Sequence, residues 1–256
     1  MSHCAAEPPL TETASAEICR DREWLERYSR QLLLPAVGGR GQRLLHQATV
    51  AVGGCGTSGT PLALYLAGAG VGRLLLMDSG AQANHLASAI QDLNPLVQTV
   101  VLPPPASWQE AAILLPDCQV AIAADGQATL RQQLNRAAIA AGCLLLAGWQ
   151  TPSAAVLAAS SAGLHPAAPC LHCCEQILLH QSREAAAPPL LMQMTHGLIG
   201  SILAMETIAI LLNKPCQLFA HCYLFHPEQS NYQLLPVSKW SHCPVCASDA
   251  RVGSLS

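Results

Sequence analysis

The chain has 256 residues, a formal net charge of -3, 51% hydrophobic residues and only 11% charged ones, about half the usual charged fraction. That balance gives no electrostatic case for nucleic acid or an anionic membrane surface. The length allows one large domain, or one domain with a smaller lobe.

Few charges and a positive mean hydropathy point to a large buried interface and a homodimer, the bland alternative being an Ala/Leu-rich soluble protein. The apolar runs read as breaking off before the roughly 20 residues that a membrane span needs. Residues 1–20 carry Glu7, Glu12 and Glu17 and no basic start followed by an apolar stretch, so they read as a flexible polar tail and not a signal peptide. Twelve cysteines, some in C-x-x-C pairs, suit a metal in a reducing cytoplasm better than a disulfide framework.

In chain order, Trp24, Leu25, Tyr28, Leu32 and Leu33 fall near helical spacing with charges between them. Thr49-Val50-Ala51-Val52 reads as a short buried strand that runs into Gly53-Gly54-Cys55-Gly56-Thr57-Ser58-Gly59. A helix is expected through Pro61–Ala67, with Pro61 suited to its first turn. Leu74–Met77 is a second strand ending on Asp78. Strand, glycine turn, helix, strand is one βαβ unit of a parallel sheet. Further strands are expected at Thr99–Leu102, Gln119–Ala124 and Cys143–Ala147, with a helix from Ala128 to Ala141. After Gln150 the texture turns to small residues and prolines, which marks a second lobe; within it Gly197–Leu212 reads as a long apolar helix with only Glu206 charged. The expected class is α/β: a Rossmann-like, doubly wound, mostly parallel sheet with a C-terminal lobe stapled by metal.

Gly54-x-Gly56-x-x-Gly59 sits after a strand and before a helix, the setting of a nucleotide-binding fingerprint. Its glycines allow a tight turn and let backbone N–H groups approach phosphate at a helix N-terminus. Asp78, about 20 residues on, is placed to hold a ribose hydroxyl. NAD and ATP enzymes would both use these residues, and a glycine turn kept only for close packing is the bland alternative.

Cys170-Leu171-His172-Cys173 and Cys243-Pro244-Val245-Cys246 supply two halves of a closed Cys4 site, suited to a structural Zn2+. Such a site would tie the end of the chain to its middle. Unmetallated core cysteines or disulfides are the alternative. His165, His172, His221, His226 and His242 lie near these segments and read as supporting or surface groups.

Arg27-Tyr28-Ser29-Arg30-Gln31-Leu32-Leu33-Leu34, the glycine loop, Tyr65–Gly72, Leu93-Asn94-Pro95, the segment around Asp125, Arg131–Asn135, Ala204-Met205-Glu206 and both cysteine pairs together resemble the ThiF/MoeB/HesA family. These are bacterial relatives of ubiquitin-activating enzymes, and the similarity runs from about Arg27 to Cys246. The resemblance implies a homodimer that binds Mg·ATP and adenylates the C-terminal Gly-Gly carboxylate of a small ubiquitin-like sulfur carrier. Residues 21–250 would form one such domain, 21–150 binding nucleotide and 151–250 binding carrier and zinc. It also implies roles for individual residues. Gly54, Gly56, Gly59 and Asp78 would hold the nucleotide. Arg30 would reach the phosphates bound by the other subunit, and Asp125 would assist Mg2+ and the attacking carboxylate.

Three departures stand out. Members of the family carry an extended segment after the second strand with an N-x-Q-R element and then a lysine, both cations touching the triphosphate. Here Asp78–His85 runs almost directly to Leu93-Asn94-Pro95, and no Lys or Arg occurs between Arg73 and Arg131. Arg27, Arg30 and Arg131 are the local candidates to replace them; His85 would serve only if protonated, and otherwise reads as a surface turn. Second, Gly80 replaces a second acid, and strict register from Arg131 puts Gly126, not Asp125, at the catalytic position. Third, the loop Glu184–Pro189 has alanine where ThiF-type enzymes keep a cysteine, which leaves Cys174 as the nearest spare thiol. Cys55, Cys118, Cys143, Cys216 and Cys222 read as small core hydrophobes. The readings are an active adenylyltransferase, a degenerate member acting as a scaffold for a carrier or paralogue, and an NAD oxidoreductase, which the cysteine pairs oppose.

Overall fold

The computed structural model describes residues 22–124, 127–181, 186–219 and 221–247. Contacts divide the chain into two compact units, one up to Leu44 and one from Leu45.

In the first unit, helix α1 (Arg22–Leu32) buries Trp24 and Tyr28. These two lie one turn apart, with ring centroids 5.4 Å apart in an edge-to-face pair. Helix α2 (Gly38–Gln47) follows.

The second unit is built on one eight-stranded sheet: β1 (Thr49–Gly53), β2 (Arg73–Met77), β3 (Gln98–Leu102), β4 (Val120–Ala123), β5 (Leu144–Gln150), β6 (Ala155–Ser160), β7 (His221–His226) and β8 (Asn231–Pro236). The spatial order is β3-β2-β1-β4-β5-β6-β7-β8. Pairings are parallel from β3 through β5 and antiparallel from β5 to β8. Between them run helices α3 (Gly59–Ala69), α4 (Gly80–Leu93), α5 (Trp108–Leu114), α6 (Ala128–Ala141), α7 (Leu171–Gln181) and α8 (Pro189–Leu211).

The central strands are apolar at every position because both faces are covered. Val50, Val52, Leu74, Leu76 and Ile122 pack on one side with α3, α4 and α8. Ala51, Leu75, Met77, Ala121 and Ala123 pack on the other with α5, α6 and α7. The mixed α/β class is as expected, and the sheet crosses residue 150 without a break.

Two expectations need correction. Helix α8 begins at Pro189 rather than Gly197 and runs 23 residues, long and apolar enough by length and composition to cross a membrane. It is a core helix of this fold: Ile199, Leu203, Ala204 and Leu211 are buried against the sheet and α3. The second concerns the chain after Asp78, which forms the amphipathic helix α4 with Ala83, Leu86 and Ile90 buried. His85 therefore lies exposed on the outer face of a helix, not on a turn. Asn94 ends α4 and donates from Nδ2 to the Ala67 carbonyl at 2.7 Å, which fixes α4 to the end of α3.

Candidate nucleotide site and four-cysteine centre

The strand order reverses direction between β1 and β4, where open α/β sheets form a crevice beyond the carboxyl ends of the strands. The glycine loop leaves β1 at that point. Gly54 has φ +89°, a left-handed conformation that favours glycine, and its N–H donates to the Met77 carbonyl at 3.0 Å. The Cys55 N–H donates to Asp78 Oδ2 at 2.5 Å, while Oδ1 accepts from the Ser79 N–H at 2.5 Å and from its hydroxyl at 3.2 Å. Asp78 is half-buried at the end of β2, so one carboxylate joins the two strand ends beneath the loop.

From the other side, the Thr60 hydroxyl donates to the Cys55 carbonyl at 2.8 Å. A Cβ at Gly59 would sit 1.8 Å from the Gly54 carbonyl oxygen, so the turn closes only around glycine there. A Cβ at Gly56 would meet nothing within 4 Å. The loop thus presents open space at its middle, in front of the α3 N-terminus, where N–H groups and the helix dipole favour an anion.

Ser58 stands at the N-cap of α3, but its side chain makes no capping bond. It pairs instead with His196 Nδ1 of α8 at 3.0 Å. One turn further along α8, a Cβ at Gly200 would fall 2.4 Å from the Ser58 carbonyl oxygen. The long helix therefore passes against the end of the loop and the first turn of α3.

The remaining predicted site residues are placed as follows. Asp125 and Gly126 lie outside the described residues. Their neighbour Ala124, just past β4, donates its N–H to the Gly53 carbonyl at 2.9 Å, and its Cβ would stand 3.6 Å from one built on Gly59. Arg27 and Arg30 are exposed on α1 of the first unit.

Arg131 is not available as a phosphate cation. It is 7% exposed, its guanidinium carbon stacks 4.4 Å from the Trp149 ring centroid, and its Nε donates to Glu175 Oε1 at 2.9 Å. It ties α6 to α7. Of the expected Glu184–Pro189 loop, residues 184 and 185 lie outside the described residues.

Cys170, Cys173, Cys243 and Cys246 are all buried, with sulfurs within 4.8 Å of one another. Cys170–Cys243 and Cys173–Cys246 are each 3.7 Å apart, and the Trp240 N–H points to the Cys173 sulfur at 3.5 Å. Hydrogen bonds from the Cys170 and Cys246 thiols hold Cys173 down, towards thiolate. These four residues could hold a metal ion, and among the described residues no histidine joins the group. His172 stacks on Trp240 with centroids 6.3 Å apart, beside the cluster. Cys174 is buried and donates to the Cys170 carbonyl; burial, with Cys222 close by, pushes its thiol well up. It is a packed thiol, not an activated one.

Residues 28–82 match the sequence pattern of the ThiF family. The match ends in the first turn of α4. A sulfur carrier protein adenylyltransferase of Thermus thermophilus is 27% identical, over 89% of this chain and 93% of that protein. The sulfur carrier protein ThiS adenylyltransferase of Escherichia coli K12 is 28% identical over 88% and 96%. The chain is similar to the ThiF/MoeB adenylyltransferases, in its family pattern over residues 28–82 and at 27–28% identity along nearly its whole length.

The zebrafish (Danio rerio) adenylyltransferase and sulfurtransferase MOCS3 is 26% identical over 90% of this chain, which spans about half (54%) of that longer protein. The fold is that of E. coli MccB crystallised with ATP, at a TM-score of 0.70 over 86% of this chain and 74% of that one, with 16% identity.

The Ser58–His196 pair and the Arg131–Trp149–Glu175 contact were not foreseen. Their members lie 138, 18 and 44 residues apart, and no local pattern marks such distant partners.

Proposed function

We propose that this chain binds Mg·ATP at the loop after β1 and adenylates the C-terminal Gly-Gly carboxylate of a small ubiquitin-like sulfur carrier, acting as a homodimer in the cytoplasm. A carboxylate oxygen attacks the α-phosphorus, the bond to the bridging oxygen breaks, and pyrophosphate leaves. The acyl carbon of the adenylate is then open to attack by a sulfur nucleophile from a separate sulfur-donor protein, with AMP as the leaving group.

In this reading the amides of Gly54–Gly59 and the α3 N-terminus take the phosphates, and Asp78 orders the loop and accepts a ribose hydroxyl. Asp125 serves Mg2+ and the attacking carboxylate. Arg30 contributes charge to the phosphates bound by the other copy. Losing one preorganised phosphate contact costs about 10²–10³ in rate, so without the family's arginine and lysine turnover should be slow.

The observation that carries the reading is the loop itself: closed underneath by Cys55 and Asp78, open above Gly56. The relatives matched over nearly their whole length are named as adenylyltransferases, and nothing in the comparisons favours a scaffold.

The four cysteines are read as a structural zinc site. Zn–S bonds of about 2.3 Å in a tetrahedron set sulfurs about 3.8 Å apart, against the 3.7 Å of both close pairs. Four thiolates leave no open position for substrate. When bound, the ion would join α7 to the segment after β8.

The test is calorimetric titration with Mg·ATP, followed by ATP–pyrophosphate exchange with a carrier ending in Gly-Gly. Micromolar binding and carrier-dependent exchange are expected. No binding up to millimolar ATP would overturn the reading. Binding without exchange for any Gly-Gly carrier would point to the scaffold.

A further inference from the structure

We propose that His196 is a positioning residue of the nucleotide site: seated on Ser58, it offers a hydrogen-bond donor to the phosphates at the α3 N-terminus. The proposal rests on the ATP-binding reading above. It assigns to α8 a phosphate contact in a chain with no Lys or Arg between Arg73 and Arg131.

Three observations converge on this ring. His196 Nδ1 is bonded to the Ser58 hydroxyl, on the last loop residue before α3. Gly200, one turn on, lets α8 press against the Ser58 carbonyl, so the ring is held against the end of the loop by backbone contact as well as by its own bond. His196 is also the only basic residue of α8, in a chain with no Lys or Arg between Arg73 and Arg131.

Proton counting then decides what the pair can offer. Burial holds the His196 pKa below its ordinary value, so the ring is neutral near pH 7. A neutral ring and a hydroxyl carry two polar hydrogens, and the 3.0 Å bond uses one of them. The second is on Nε2 when the ring accepts from Ser58, or on Oγ when the ring donates. Ser58 is 3% exposed whereas His196 is only partly buried. We assign the tautomer in which Nδ1 accepts from the Ser58 hydroxyl, because it leaves the second hydrogen on Nε2, on the more exposed of the two side chains. The ring's outer nitrogen makes no hydrogen bond among the described residues, and the only one the ring makes is that to Ser58. A fixed donor beside a helix N-terminus selects an anion, and a phosphate oxygen is the anion that the glycine loop admits.

The test compares ATP affinity, by calorimetry, with adenosine affinity, by ligand-observed NMR, in the full chain. His196→Leu keeps much of the volume and removes the donor. It should weaken ATP about tenfold to a hundredfold, the range for a hydrogen bond to a charged group, and leave adenosine unchanged. His196→Gln restores an N–H and should recover most of the ATP affinity. Ser58→Ala, which frees the tautomer without touching the ring, should move the ATP-to-adenosine ratio in the same direction by a smaller factor. Equal losses for both ligands, or an unchanged ratio in the three variants, would overturn this proposal while ATP binding itself stands. No ATP binding by the unaltered chain would overturn the ATP reading and this proposal with it.

Discussion

Asp78 Oδ2 accepts a 2.5 Å hydrogen bond from the Cys55 N–H, and with the Gly54 N–H to Met77 carbonyl bond this contact joins the end of β2 to the loop that leaves β1. The same carboxylate accepts from the Ser79 N–H at the entry to α4. Asp78 thus shapes the glycine loop whether or not nucleotide is present, and its removal should be felt in stability as well as in binding. Asp78→Ala is expected to weaken Mg·ATP at least tenfold and to lower the melting temperature, since hydrogen bonds to a charged group contribute about 1.5–3 kcal/mol each. Asp78→Asn, which keeps one acceptor oxygen, should lose less of both. Calorimetry and thermal melting check this; unaltered ATP affinity in Asp78→Ala would refute the role.

Two glycines of the loop should respond in opposite ways to the same methyl group. Gly59→Ala would drive Cβ into the Gly54 carbonyl; forcing that contact costs about 1–3 kcal/mol or more, and both folding and binding should suffer. Gly56→Ala meets nothing within 4 Å, so its stability should stay within about 1 kcal/mol of the unaltered chain. Its ATP affinity should fall sharply, because the methyl enters the space where phosphate would lie. A Gly56→Ala chain that melts normally and binds ATP normally would mean that the ligand does not use this opening.

Arg131 serves the fold. Replacing it with Met strips the partner from Glu175 and the cation from the face of Trp149. Breaking a largely buried ion pair costs about 3–5 kcal/mol, so Arg131→Met should unfold at clearly lower urea. The fraction that remains folded should bind ATP as before. A normal melting curve with lost ATP binding would reverse this assignment.

Metal removal tests the four-cysteine centre directly. Chelation under mild denaturation, or Cys243→Ser, removes a link between segments 73 residues apart. A loss of about 3 kcal/mol would lower the melting temperature by about 6–12 °C in a chain of this size. One zinc per chain by elemental analysis, and thiolate charge-transfer bands on cobalt substitution, are the accompanying signatures. A chain free of metal that melts unchanged would show that the cysteines are simply packed.

The parts of this molecule legible in its sequence are those written at short range. The β1 strand, glycine loop and α3 read correctly because a buried parallel strand is a run of apolar residues and the turn after it needs glycines. The meeting of the two cysteine pairs was legible because C-x-x-C spacing is a local code for sulfurs that converge. Strand β6 was not legible: Ala155–Ser160 is mostly alanine and serine, poor strand formers. Its conformation is imposed by antiparallel pairing with β5 and β7. The first turns of α8 were missed for a related reason, since Gln193, Thr195 and His196 interrupt the apolar pattern there. Gln150 fixes that end by donating to the Met192 carbonyl and to the Thr195 hydroxyl.

The sequence by itself determined the α/β class, the place of the glycine loop, the family resemblance and the two cysteine pairs, because each depends on residues close together in the chain. Only the tertiary structure decided what long-range neighbours make of the charged and polar groups. Stacking on Trp149 and pairing with Glu175 turn Arg131 from a candidate phosphate ligand into a packing residue. The path of α8 against the end of the loop sets His196 on Ser58. Burial and hydrogen bonding act through space, and the partners that decide a side chain's role are the ones the fold brings to it.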